Sequence, residues 1–183
     1  MKVGVLALQG DVREHLSSLL SCGVDAFGVR RAEEIDGIDA LVLPGGESTT
    51  IAQLSEVFGV YDLIKSRIAQ GMPVYGSCAG MILLAEEILD AKQGQKSFGG
   101  LAITVRRNAF GRQVDSFESD IAFADGSEQL IRAVFIRAPW VEKVSESVQV
   151  LASVDSHPVA VRSATALATS FHPELTGDNR IHR

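Results

Sequence analysis

The chain has 183 residues, 46% of them hydrophobic and 22% charged, with a formal net charge of −6. That is enough for one ordinary globular domain, and the wrong sign for a general nucleic-acid or anionic-membrane binder, since no basic stripe or aromatic-basic interleave is present. Two cysteines, Cys22 and Cys78, make no disulfide framework; with no signal peptide or long apolar span ahead of them, a reducing, cytoplasmic compartment is expected.

Residues 3–8 form a continuous apolar run, as in a strand covered on both faces of a parallel sheet. Gln9-Gly10-Asp11 follows, then Val12, Leu16, Leu19 and Leu20 at helical spacing, with Asp11 and Glu14 placed as a capping box and Gly23 as the stop. His15 in that helix reads as a solvent-edge or capping residue, or as a ligand contact; Cys22 is most simply a packing residue. Residues 24–29 and 40–43 read as the second and third strands. The third ends in Pro44-Gly45-Gly46-Glu47-Ser48-Thr49-Thr50, either a flexible connection or a ligand loop of the kind open α/β sheets carry at their carboxyl edge. Thr50 and Gln53 are placed to cap the next helix, and a further helix carries Leu63, Ile64 and Ile68 on one face and closes at Gly71. The alternation predicts a doubly wound α/β sheet.

Pro73-Val74-Tyr75-Gly76-Ser77-Cys78-Ala79-Gly80-Met81-Ile82-Leu83-Leu84 runs an apolar strand into Gly-x-Cys-x-Gly and directly on into an apolar helix. This is the turn that lifts a nucleophile out of a sheet. Gly76 and Gly80 suit a tight turn and close helix–strand packing, and Cys78 would sit at a helix N-terminus, where thiolate is favoured over thiol. A cysteine among small residues also fits a buried small hydrophobe. Beyond this helix, residues 101–105, 116–123, 133–136, 148–152, 158–161 and 167–171 read as strands, an antiparallel extension of the first half within a single domain spanning 1–183. Residues 90–100, with three glycines and two lysines, are expected to form the most mobile loop.

The far end of the chain supplies a base. In Ser170-Phe171-His172-Pro173-Glu174 the proline pushes His172 into an extended conformation. Residues two apart then share a side, bringing Glu174 toward the imidazole. Beside Cys78 these complete a nucleophile, base and orienter in the order Cys, His, Glu. No Cys/His cluster has metal-ligand spacing, and neither a dinucleotide nor a Walker loop is present, so no metal and no cofactor are expected.

Pro44-Gly45-Gly46-Glu47-Ser48, Gly76-Ser77-Cys78-Ala79-Gly80 and His172-Pro173-Glu174 resemble the three signatures of class I, or triad-type, glutamine amidotransferases. Residues 8–15, 107–118, 134–139 and 170–176 further resemble the glutaminase subunits of pyridoxal 5'-phosphate synthase, and the 107–118 stretch is the most specific of these. The resemblance implies a three-layer, flavodoxin-like fold with a central, mostly parallel sheet, an antiparallel extension and helices on both faces. It implies hydrolysis of L-glutamine to glutamate and ammonia by Cys78, His172 and Glu174, with backbone N–H groups of Gly46 and Ala79 as the oxyanion hole. Glutamine contacts carry over onto Gly46, Glu47, Ser48, Arg107, Ile136 and Arg137. Arg106 and Arg107 are adjacent on a strand and point opposite ways, so only one of the two should line the site.

The implied partner is the synthase subunit, a separate chain that receives the ammonia in a large hetero-oligomer, and the family is thought to be silent until that partner docks. A peptide free to rotate at Gly45-Gly46 could switch the hole on or off. The first helix, with Arg13, Glu14 and His15, is the expected docking surface together with the carboxyl edge around Cys78. The resemblance also leads one to expect a closing amphipathic helix beyond Arg180-Ile181-His182, absent from this sequence, and a glycine near the turn at Ser163 and Ala164. The alternatives are a glutaminase serving another synthase, or a different cysteine hydrolase on the same fold.

Overall fold

The period-two alternation within the short apolar runs decides how the layers assemble. In the computed structural model, which describes residues 1–109 and 116–183, Val3 and Val5 of strand β1 (Lys2–Leu6) face helix α1 (Val12–Ser21), where they meet Leu19. Val42 of β3 (Ala40–Leu43) and Tyr75 of β4 (Val74–Ser77) join that layer. The intervening Leu6, Leu41, Leu43 and Val74 turn to the other face. There they pack with Ile35 of α2 (Ala32–Asp36), Ile51 of α3 (Ser48–Val57), Ile64 and Ile68 of α4 (Tyr61–Ala69) and Met81 of α5 (Ala79–Leu84). Burying a Val or Leu side chain completely contributes about 1.5–3 kcal/mol, so strands apolar on both faces fix the three-layer arrangement.

With β2 (Asp25–Val29), β10 (Gln149–Val154), β11 (His157–Arg162) and β12 (Ala166–Thr169), these strands form one seven-stranded sheet in the order β10-β11-β12-β4-β3-β1-β2. Every neighbouring pair from β2 to β12 is parallel, while β11 and β10 are antiparallel additions. The strand order reverses between β1 and β3, and such a switch point opens a crevice at the carboxyl ends of the strands.

The later strands do not all extend this sheet. After α5, β5 (Ala85–Leu89) pairs with β6 (Leu101–Arg106), which pairs with β9 (Trp140–Val144), as a separate three-stranded sheet. Strands β7 (Ser116–Ile121) and β8 (Ile131–Ile136) form a two-stranded ribbon. Its Phe135 stacks on Phe117 at 4.5 Å and meets Phe171 edge-on at 5.7 Å, which ties the ribbon to the segment after β12. Of residues 107–118, the stretch that carried the most specific resemblance, 110–115 lie outside the described residues.

Local signals failed where a side chain found a better partner. Asp11 makes no cap hydrogen bond on α1; its carboxylate is drawn to an imidazole instead. Helix α3 begins two residues before the expected Thr50 cap, with the Glu47 carboxylate accepting from Thr49 N. Helix α2 and strands β5 and β9 were not foreseen, being five residues each and weakly patterned. Within residues 90–100 the far end is tied to the core: Tyr61 Oη donates to Ser97 O at 2.6 Å, Phe98 is buried, and Phe98 N donates to Leu83 O at 2.7 Å, while residues 90–94 are exposed. No helix among the described residues is long and apolar enough to cross a membrane.

Candidate active site

Strand β4 delivers Cys78 to the crevice on a strained turn. Its φ of 47° and ψ of −98° lie in a region that side chains rarely enter, a state that survives only where surroundings over-determine it. Two contacts do so here. Cys78 N donates to Thr169 O of β12 at 2.8 Å, and the small residues allow α5 to press on the sheet. A Cβ on Gly76 would come within 2.5 Å of Gly80 C, and one on Gly80 within 2.3 Å of Leu43 O. Because α5 has only six residues, its dipole offers the sulfur less than a long helix would.

The imidazole of His172 completes the pair. Its backbone N donates to Val134 O of β8 at 2.9 Å, and two residues on the Ile136 carbonyl lies 3.8 Å from Cys78 Sγ. One ribbon strand thus contacts both Cys78 and His172. His172 Nδ1 lies 2.8 Å from Glu174 Oε1 and 3.3 Å from Asp11 Oδ2, and Cys78 is near enough to bear on the charge of the ring. Pro173–Leu175 is a 3₁₀ turn, not the extended segment expected from the His-Pro step. The i to i+3 closure, with Leu175 N on His172 O at 3.3 Å, folds Glu174 back onto the ring.

Charge follows from this crowding. Burial works against a cationic ring, but the hydrogen bonds with Asp11, Cys78 and Glu174 outweigh it and push His172 up to about 12. The same bond with His172 lowers the Asp11 carboxyl, whereas burial raises Glu174 against the pull of the ring. Asp11 therefore carries negative charge readily, and the enclosed Glu174 acts mainly by holding the ring. Asp11, His172 and Glu174 also turn ligand atoms to within 4.8 Å of one another.

The other predicted residues gather at the crevice in two ways. The Glu47 carboxylate receives Thr49 Oγ1 at 2.7 Å and Arg107 Nη2 at 3.0 Å. Its burial is offset by Thr49, Lys92 and Arg107, so its pKa is lowered. Arg107 is buried, while neighbouring Arg106 is half-buried and pairs with Asp90 and Glu142. Gln95, which the sequence did not single out, joins the cluster: Nε2 donates to Ser48 Oγ at 3.0 Å and Oε1 accepts from Arg107 Nη1 at 2.7 Å. Ile136 presents its carbonyl to Cys78. Arg137 is exposed at φ 45°, with no hydrogen bond or ion pair among the described residues.

The Gly45-Gly46 peptide is held by the first loop, with Asp11 N donating to Gly45 O at 3.1 Å and Glu47 N to Gln9 Oε1 at 2.8 Å. Rotation of that peptide would break the Asp11 bond. Ala79 opens α5, so its N–H has no intrahelical acceptor. Asp11 is the residue that sequence reasoning missed as functional. Its place in a loop at the switch point was the available signal. His15, expected at a solvent edge or on a docking face, is fully buried against Ser77 and belongs to no outer surface; α1 presents Arg13 there instead.

A cysteine raised on a strand-to-helix elbow, facing an imidazole braced by carboxylates at the switch point of a parallel sheet, defines the class of triad thiol hydrolases on an α/β fold. Residues 5–183 match the model of the SNO glutamine amidotransferase family. The chain belongs to that family. It is 60% identical over 181 residues to pyridoxal 5'-phosphate synthase subunit PdxT of Mycobacteroides abscessus, covering 99% of this chain and 93% of that one. It is 58% identical to the subunit of the same name from Streptomyces coelicolor, covering 99% and 90%. A crystal structure of a glutamine amidotransferase superposes with a TM-score of 0.92 at 48% identity, over 99% of this chain and 95% of the other. A glutamine amidotransferase of Thermotoga maritima shares the fold at a TM-score of 0.62 and 13% identity, over 95% and 76%.

Proposed function

We propose that this chain is the glutaminase subunit of a cytoplasmic pyridoxal 5'-phosphate synthase, a single catalytic domain that hydrolyses L-glutamine and passes ammonia to the synthase subunit. The observation that supports this most is that one strand, β8, holds His172 N at Val134 O and meets Cys78 Sγ at Ile136 O, with His172 Nδ1 on Glu174, at the crevice of a glutamine amidotransferase fold. With the proton of the pair already on His172, Cys78 Sγ attacks the side-chain amide carbon. Main-chain N–H groups of Gly46 and Ala79 meet the oxyanion; one such donor lowers the barrier by about 2.7–4 kcal/mol. The C–N bond breaks as His172 returns the proton to the departing ammonia, leaving a glutamyl thioester. Water, deprotonated by His172, cleaves the thioester to glutamate and restores the thiol.

Glu47, Ser48, Arg107, Ile136 and Arg137 hold the amino-acid end of the substrate, the exposed guanidinium of Arg137 being free to meet a carboxylate. The synthase docks over the carboxyl edge of the sheet and the exposed part of α1 around Arg13 and Glu14. Glutamate release from glutamine, measured with and without a pyridoxal phosphate synthase subunit, tests the reading. Activity that depends on the partner and is lost in Cys78→Ala and His172→Asn supports it; undiminished activity in either variant removes the triad.

A further inference from the structure

Two imidazoles beyond the triad are buried behind Glu174, His15 against its carboxylate and His182 against His15, and the hydrolysis steps above use neither. His15 Nε2 lies 2.8 Å from Ser77 Oγ and 3.4 Å from Glu174 Oε1, while its Nδ1 lies 3.0 Å from Nε2 of His182. Glu174 Oε1 is the same oxygen that holds His172 Nδ1, and Oε2 has no partner among the described residues. A carboxylate on a three-residue turn, fixed through one oxygen by a single ring, is free to rotate. A second donor on that oxygen removes the freedom.

The tautomers follow from the neighbours. An oxygen of a carboxylate facing a bare nitrogen lone pair is repelled, so the His15 proton belongs on Nε2, shared between Ser77 and Glu174. Nδ1 must then accept, and His182 donates to it from Nε2–H. This leaves His182 Nδ1 as an acceptor, and that is the one His182 nitrogen without a partner among the described residues; a bare acceptor is the more tolerable buried orphan. The groups facing His15 are Ser77 and the edge of Tyr75 from β4, Glu174 from the 3₁₀ turn, His182 from the last turn, and the charges of Asp11 and His172. Burial first, then His182, drives His15 down to about 3, and burial drives His182 down to about 4. Both rings are therefore neutral donors. A cation at His15 would compete with His172 for the carboxylate; a neutral one steadies it and leaves His172 as the site of charge.

We propose that His15, backed by His182, is a positioning residue of the triad, its Nε2–H fixing the Glu174 oxygen that orients His172. This rests on the triad reading above. In the assembled complex with its synthase, His15→Leu is expected to lower kcat for glutamine hydrolysis by about 10²-fold, the cost of small misplacements at a reacting group, with KM within twofold. His15→Gln, whose side-chain N–H can take the place of Nε2–H, recovers most of the loss. The second readout is the rate of Cys78 alkylation by iodoacetamide against pH, which needs no substrate and is expected to shift in His15→Leu and return in His15→Gln. A structural role alone would lower the melting temperature and leave kcat per folded molecule and the alkylation profile unchanged; that result overturns the proposal. If His15→Leu does not fold, His182→Phe carries the test, with a lower kcat at constant KM expected and an unchanged kcat overturning it. Failure of the triad itself shows separately, as full activity in Cys78→Ala.

Discussion

Gly45 lies against the imidazole of His172 so closely that a Cβ on it would fall 2.4 Å from Cε1 and 2.8 Å from Nδ1. The glycine is there for space, since its backbone is not in the left-handed region. Gly45→Ala should therefore fold and yet push the ring off Cys78 and Glu174. Glutaminase activity is expected to drop by about 10²-fold or more, with the melting temperature little changed. Wild-type turnover in this variant would mean that the loop yields more easily than the packing indicates.

Asp11 acts on His172 through the hydrogen bond its carboxylate accepts and through its charge. Removing an opposite charge at this distance typically lowers the pKa of its partner by about 1–3 units, so in Asp11→Asn the imidazolium should lose its proton at lower pH. The ¹⁵N shifts of His172 followed through a titration measure this directly. An unmoved titration would return Asp11 to a purely structural role.

The strain at Cys78 predicts a conflict between stability and activity. A non-glycine residue at such a backbone conformation costs about 1–3 kcal/mol, so Cys78→Gly should melt higher than Cys78→Ala, by about 2–4 °C per kcal/mol in a chain of this size. Both lack activity. Equal melting temperatures would show that the bond from Cys78 N to Thr169 O absorbs the strain.

Acid should unfold the protein through its buried histidines. His15 and His182 take up protons at about 3 and about 4 when folded, against 6.5 for an ordinary ring. Between those values the unfolded chain binds more protons, so their contribution is complete above pH 6.5 and is lost as pH falls toward 4 and then 3. With both groups titrating, the slope approaches about 2.7 kcal/mol per pH unit. His172 has the opposite sign: its contribution is complete below 6.5 and lost only as pH rises toward 12, so it does not change over the acid window. Denaturant melts from pH 7 to 4 should fall steeply in the wild type and more shallowly in a His15→Gln, His182→Gln double variant.

Much of the site was legible before the structure because its chemistry is written in short local signals. The glycines around Cys78 need one another's backbone, and the apolar runs before the loops fix which strands are central. What was not legible depended on distance in the chain. Asp11 reads as a helix cap until His172, 161 positions later, offers it a stronger partner, and His15 reads as polar surface until Ser77 and His182 enclose it. Gln95 lies in a stretch whose glycines and lysines suggest looseness, and only its bonds with Ser48 and Arg107 show otherwise. The His172–Glu174 contact was anticipated with the wrong backbone, since a 3₁₀ turn can bring side chains two apart together as an extended segment can.

The insertion of β12 between β4 and β11 has a consequence for the order of events during synthesis. A ribosome releases the thiol of Cys78 long before the ring proposed to activate it, and domains form from the N-terminal side as they emerge. Until the last parallel strand slots in, there is no carbonyl at Thr169 to hold the elbow and no base beside the sulfur. Partly made or C-terminally clipped chains should therefore be inert toward glutamine, so that ammonia is never generated by a molecule too incomplete to hand it on.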